Sequence, residues 1–196
     1  MTLQQFIERY DYKGAIVLLE GKRDVPEEDK SKLTELGKLL ASSTSHILFR
    51  SGNAKGADLY FSNGVSGVDP KRLQVIVPYS GHRKKENTAY STVSLDNINL
   101  LEEPEVIYHS KKNKKTERLI DKFVSGEKNR NTIKAAYIIR DTIKVIGSAE
   151  TPPAGFAIFY DDLKNPKSGG TGHTMHVCEN NAVEYVNQKV WFKWLE

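Results

Sequence analysis

Four short apolar runs constrain this chain more than any other feature. Gly14 to Glu20 (GAIVLLE), His46 to Arg50 (HILFR), Gln74 to Val77 (QVIV) and Gly155 to Tyr160 (GFAIFY) are nearly unbroken, and turn-forming or polar residues follow each. A strand with one wet face alternates apolar and polar residues, whereas a strand covered on both faces does not, so these runs fit buried strands of a parallel sheet. Between the first two, residues 26 to 42 place Leu33, Leu36, Leu39 and Leu40 at helical spacing behind acidic residues, which suit the positive end of a helix dipole. The turn residues SGNAKG lead into a helix expected from Gly56 to Asn63. Strand, helix, strand, helix, strand predicts an α/β protein, Rossmann-like, with a mainly parallel sheet and helices on both faces.

The remainder is less regular. Ser80 to Asn99 has no sustained period and reads as a long loop, Glu105 to His109 as a short strand, and Thr116 to Gly147 as one or two helices. Val183 to Asn187 reads as a final strand, and KVWFKWLE ends the chain. Neither a repeat nor a linker divides the sequence, so a single domain over residues 1 to 196 is expected; a chain this long can bury roughly 70% of its unfolded surface. No apolar run approaches the roughly 20 residues of a membrane span, and the amino terminus lacks the pattern of a secretory signal. The lone Cys178 suits a reducing compartment, so a cytoplasmic location is expected. Trp191, Phe192 and Trp194 offer apolar surface for either a homodimer or an intramolecular clasp.

In open parallel sheets, ligands bind beyond the carboxyl ends of the strands, where helix amino termini present free N–H groups. Four segments meet that rule: Gly21-Lys22-Arg23, the stretch from Arg50 to Asp58, Pro78-Tyr79, and Ser168 to Thr174. The formal net charge of +4 favours anionic partners, and the basic stretches HRKKEN (82 to 87) and HSKKNKKTER (109 to 118) are either solvated faces or contacts to phosphate. Common nucleotide fingerprints are missing: there is no GxxxxGK[ST], and Met175 stands where GxGxxG needs its third glycine. A metal is not expected. His173 and His176 share a helix face, but Cys178 points elsewhere and no second ligand pair follows.

Taken in order, Gly21-Lys22-Arg23, RSGNAKGAD (50 to 58), VPY (77 to 79), RDTIKVIG (140 to 147) and SGGTGHT (168 to 174) resemble the motif set of the SLOG superfamily. That group includes DprA/Smf, the YpsA-like proteins and the LOG phosphoribohydrolases, and the likeness is greatest to the DprA/YpsA-like branch. Asn53 stands where the branch's SGGAxGAD has glycine, and Asp141 where its RNxxxVxG has asparagine. The resemblance implies a Rossmann-like sheet that binds a nucleotide or related phosphate ligand. The residues it selects are Gly21, Arg23, Arg50, Ser51, Gly52, Asp58, Arg140, Ser168, Gly169, Gly170, Thr171, Gly172, His173 and Thr174. Their chemistry fits: Gly52, Gly169, Gly170 and Gly172 can take positive φ and admit an anion, Thr171 and Thr174 offer hydroxyls, and Arg23, Arg50 and Arg140 can grip phosphate oxygens. Asp58 could accept from a ribose or base. Each has a bland alternative as a turn, cap or ion-pair residue.

The LOG enzymes carry PGGxGTxxE, and aligning the glycines puts His176 at the position of that glutamate, so its catalytic role does not transfer. Glu179 lies about 9 Å down the helix from His173 at 1.5 Å per residue, too far to meet the same phosphate. Asp58 and Glu179 remain weak catalytic candidates, and no cofactor is expected. Three functional classes stay open. The leading one is a sensor or sequestering module for a nucleotide-derived small molecule. The alternative is an N-glycoside hydrolase acting on nucleoside monophosphates, and the second alternative is DprA-like binding of single-stranded DNA.

Overall fold

The computed structural model describes residues 1–196. Six strands form one all-parallel sheet: β1 (Ile16–Gly21), β2 (Leu48–Ser51), β3 (Leu73–Val77), β4 (Ser91–Ser94), β5 (Phe156–Tyr160) and β6 (Glu184–Asn187). Their spatial order is β4-β3-β2-β1-β5-β6. The chain thus steps outward from β1 to β4 on one side, then crosses over to β5 and β6 on the other. The direction of winding reverses between β1 and β5, which makes the loops after those strands the expected mouth of a ligand crevice.

Side chains of successive strand residues leave opposite faces of the sheet. Val17 and Leu19 of β1, with Phe156 and Ile158 of β5, enter a core under α1 (Leu3–Tyr10), α2 (Glu27–Ser43) and α3 (Ala57–Val68). Ile16, Leu18, Ala157 and Phe159 enter the core on the other face. That face is covered by α4 (Pro104–Ser110), α5 (Glu117–Val124), α6 (Ile133–Ile146) and α7 (Gly169–Asn180). Close approach of α2 to α3 depends on Gly37 and Gly64: a Cβ on Gly64 would lie 2.1 Å from the Thr34 carbonyl oxygen. No helix is long and apolar enough to cross a membrane.

The aromatic tail is spent inside the molecule. Trp191, in α8 (Gln188–Trp191), is fully buried against Phe61 and donates its indole N–H to the Phe159 carbonyl at 2.9 Å. Trp194 packs on Phe6 of α1. The tail is an intramolecular clasp, and the surface it offered to a homodimer is already covered.

Two expectations are corrected. The segment from Ser80 to Asn99 contains β4, whose STVS sequence is polar because it is an edge strand with only Ser94 buried. Glu105 to His109 lies in α4, not in a strand. Pro104 occupies the first turn, where its missing N–H costs nothing, and Val106, His109 and Ser110 face inward at helical spacing.

Candidate functional site

Asp58 sits in the first turn of α3 and is buried. One of its oxygens accepts the Gly21 N–H at 3.2 Å, and the other accepts those of Gly52 at 3.1 Å and Ala54 at 3.4 Å. The carboxylate therefore ties the ends of β1 and β2 to the start of α3. Buried and holding three backbone N–H groups, the carboxylate serves here to fix these loops, and it is not turned outward as the ribose or base acceptor that the sequence suggested. Just ahead, Gly56 has φ +79°, and a Cβ there would lie 2.2 Å from the Arg23 carbonyl oxygen, so only glycine fits.

Behind this hub lies a buried chain of charges. Lys144 of α6 meets Glu20 at 2.6 Å and Asp141 at 2.9 Å; Asp141 also pairs with the Arg140 Nε at 2.9 Å. Arg140 donates to the Gly52 carbonyl, and Thr174 donates to Glu20 at 2.9 Å. Two carboxylates share one ammonium. Asp141, held by Arg140 and Lys144 against the cost of burial, is pushed below the usual carboxylate range, while burial outweighs Lys144 at Glu20 and raises it to about 8. Arg50 is fully enclosed, donating to Gln74 Oε1 at 2.7 Å and to the Lys144 carbonyl at 3.1 Å, and burial lowers its pKa to about 10. Neither Arg50 nor Arg140 presents its guanidinium outward, contrary to the expectation that both grip phosphate. The Ser51 hydroxyl is likewise buried.

The SGGTGHT segment leaves Gly169 and Gly170 exposed but turns Thr171, Gly172 and Thr174 into the interior. Ser168 stands at the N-cap position of α7 without a side-chain capping bond and the helix begins at Gly169, so of Gly52, Gly169, Gly170 and Gly172 only Gly169 has positive φ, at +63°. Gly172 is required for packing, since a Cβ would fall 1.9 Å from the Lys167 carbonyl oxygen. A Cβ on Gly170 would lie 3.3 Å from an Asp141 carboxylate oxygen, so a buried acid already faces the positive end of the α7 dipole. Thr171 is buried, and Thr174 is committed to Glu20 and the Gly170 carbonyl. His173 Nε2 lies 3.0 Å from the Thr142 hydroxyl, which in turn accepts from Ser110, and burial lowers the imidazole's pKa. A neutral His173 supports the α6–α7 contact. Cys178 is a core residue, its thiol pushed up by burial, and Glu179 pairs with Lys167 and Tyr185.

Free positive charge gathers elsewhere. Arg23, Lys30, Lys55 and Arg83, with Asp24 and Tyr60, line a cleft of about 370 Å³ at the starts of α2 and α3, and of these cations Lys30 is paired with Glu27. Arg23, Lys55 and Arg83 come from three separate loops, after β1, β2 and β3, and none has a carboxylate within 4.0 Å. Arg83 is half-buried, and its enclosed Nε and Nη1 have no hydrogen-bond partner. Beside them stand Tyr79, His82 and Tyr137, meeting edge to face with centroids 5.1 Å (Tyr79 to His82) and 5.6 Å (His82 to Tyr137) apart. The Arg23 and Arg140 guanidinium carbons lie 5.9 Å and 5.6 Å from the Tyr137 ring centroid. Burial, with Arg140, Arg83 and Arg23 nearby, lowers His82 to about 4, so this ring is neutral at pH 7.

Asn53 holds the cleft together. Its φ of 52° lies in the left-handed region, which asparagine tolerates better than most residues, and its amide donates to the carbonyls of His82 at 3.1 Å and Arg83 at 3.3 Å. Asparagine can thus stand at a position where the resembled SGGAxGAD motif has glycine, and it adds a clamp on the loop carrying Arg83. Of the cleft cations, only Arg23 is among the residues the sequence selects. Lys55 lies inside a selected motif, and Arg83 inside the basic stretch at 82 to 87; the signal that joins them is position after consecutive strands.

The fold has a solved counterpart. DNA processing protein A from Helicobacter pylori, described as binding single-stranded DNA, superposes with a TM-score of 0.55 at 13% sequence identity, over 95% of this chain and 68% of that one. The fold is DprA-like. No protein-family model matches the chain, and no curated protein matches it at a significant level. At this identity the DprA likeness is one of backbone architecture, and the site stands on its own geometry.

Proposed function

We propose that the chain binds single-stranded nucleic acid across the carboxyl ends of β1, β2 and β3, with phosphates against Arg23, Lys55 and Arg83 and a base against Tyr79. The observation that carries this reading is the convergence of three unpaired cations from three loops beside an exposed tyrosine. A backbone of regularly spaced phosphates with free base faces is the ligand that matches cations and aromatic rings in alternation. The single-stranded DNA binding described for the structural neighbour supports the same reading. Anisotropy of a labelled oligothymidylate, titrated at several salt concentrations, tests it. Three phosphate contacts give a log–log salt slope of about −2, and absent binding at low salt, or a slope near zero, rejects the reading.

A second reading, a nucleotide-derived small molecule held in the same cleft, is favoured by one observation. The cleft volume of about 370 Å³ falls within the roughly 300–1,000 Å³ range of small-molecule sites. A thermal-shift series with mononucleotides and oligonucleotides separates the two. Stabilisation by monomers that oligonucleotides do not exceed would favour the small ligand.

A further inference from the structure

A second concavity, of about 560 Å³, lies where α4 and α5 meet the turn at Leu100–Glu102. Its floor is apolar: Leu100 belongs to the buried cluster beneath α4, α5 and α6, and Ile107 and Val124 pack on that cluster from outside. At its mouth stand Leu101, 78% exposed, and Tyr108, 57% exposed. Single exposed apolar residues are ordinary, but two large ones flanking an apolar groove form a continuous sticky face.

The rim is positive. Residues 109 to 118 carry Lys111, Lys112, Lys114, Lys115 and Arg118 against Glu117 alone. Lys111 and Lys114 are paired, with Asp121 at 2.7 Å and Glu117 at 3.1 Å. Lys112 has no carboxylate; its ammonium lies 4.3 Å from the Tyr108 ring centroid and donates to the Tyr108 hydroxyl at 2.8 Å. An incoming carboxylate would draw Lys112 off the ring and uncover Tyr108 for apolar contact.

We propose that this groove docks an amphipathic helix from a partner protein, with leucine or phenylalanine along its inner edge and aspartate or glutamate along its flank. The apolar floor calls for side chains spaced along a helix face, and the lysine rim calls for acidic flanks. Nucleic acid fits the rim but not the aliphatic floor, where the one aromatic ring is already covered by Lys112. A second copy of the chain would bring a net charge of +4 to a positive rim.

Labelled peptides of about four helical turns, with leucine or phenylalanine at i, i+3, i+4 and i+7, are titrated by anisotropy against the full chain. Their outward positions are filled with glutamate, glutamine or lysine in three sets. The acidic set is expected to bind saturably with a Kd of about micromolar order, weakening with salt. Leu101→Glu should abolish binding and Lys112→Glu should weaken it at least about fivefold, with the melting temperature of either exposed-site variant unchanged. Failure of the acidic set to bind, equal binding by the glutamine set, or full retention in Leu101→Glu overturns the proposal. Oligonucleotide binding, or concentration-dependent dimerisation by light scattering, that is lost in Leu101→Glu also overturns it by assigning the face to nucleic acid or to a second copy.

Discussion

Lys144 Nζ lies 2.6 Å from Glu20 Oε2 with both side chains enclosed in the protein, yet the pair is not a simple ion pair, because Asp141 draws on the same ammonium at 2.9 Å. Burial therefore wins at Glu20 and moves its pKa from 4.5 to about 8. The folded chain retains a proton that the unfolded chain releases near 4.5, so the stability from this group is full below that pH and is lost as pH rises through about 8. Glu20→Gln should abolish that slope while keeping an acceptor for Lys144. His82 and His173, whose pKa values burial lowers, act in the opposite sense at acid pH and cancel in the comparison. Between pH 5 and 8.5 the melting temperature of the parent should fall by several degrees relative to Glu20→Gln. Parallel melting curves would count against a protonated Glu20.

Asp58 is expected to matter through folding. Asp58→Ala leaves the Gly21, Gly52 and Ala54 N–H groups without their acceptor, at about 1 kcal/mol or more each. The expected total of roughly 3 kcal/mol lowers the melting temperature by about 10 °C for a chain of this size. Calorimetry checks it, and a variant as stable as the parent would return Asp58 to the list of ligand contacts.

Two arginines next to the same motifs should behave oppositely. Arg83→Ala should leave the melting temperature nearly unchanged, weaken oligothymidylate binding by about tenfold and reduce the magnitude of the salt slope by about one unit per lost phosphate contact. Arg50→Gln should lower the melting temperature, because Gln74 and the Lys144 carbonyl lose a buried donor, while leaving the salt slope alone. The same outcome for both variants would refute the division between interior and cleft.

That division marks the limit of what the residues reveal on their own. Strands β1, β2, β3 and β5 are legible because both faces are covered and nearly every residue is apolar. β4 is not, since an edge strand of serine and threonine looks like a loop, and α4 is misread because the valine, isoleucine and tyrosine of EVIYH favour strands until Pro104 is taken as a helix start. α1 has no counterpart in the sequence reading, although Thr2 and Gln5 cap each other in a capping box at its start. Motif order locates the carboxyl edge of the sheet, but a motif cannot show which way an arginine points. Arg50 lies within β2 and is carried into the interior, whereas Arg83 lies in a loop held open by Asn53.

The glycines of the SGGTGHT segment separate packing from ligand contact. Gly172→Ala places a Cβ 1.9 Å from the Lys167 carbonyl, a backbone contact that cannot relax without shifting the start of α7, and it should destabilise by several kcal/mol. Gly169→Ala meets open space but at φ +63°, which costs about 1 kcal/mol. Gly170→Ala is the decisive case. It is helical and exposed, with only Asp141 at 3.3 Å, so helix propensity offsets the contact and the melting temperature should barely move. If phosphate sat on the first turn of α7, a methyl group there would block it, and oligothymidylate affinity would collapse in a fully folded protein. With the phosphates at Arg23, Lys55 and Arg83, the affinity of Gly170→Ala should stay within about twofold of the parent, and anisotropy titration of this one variant distinguishes the two placements.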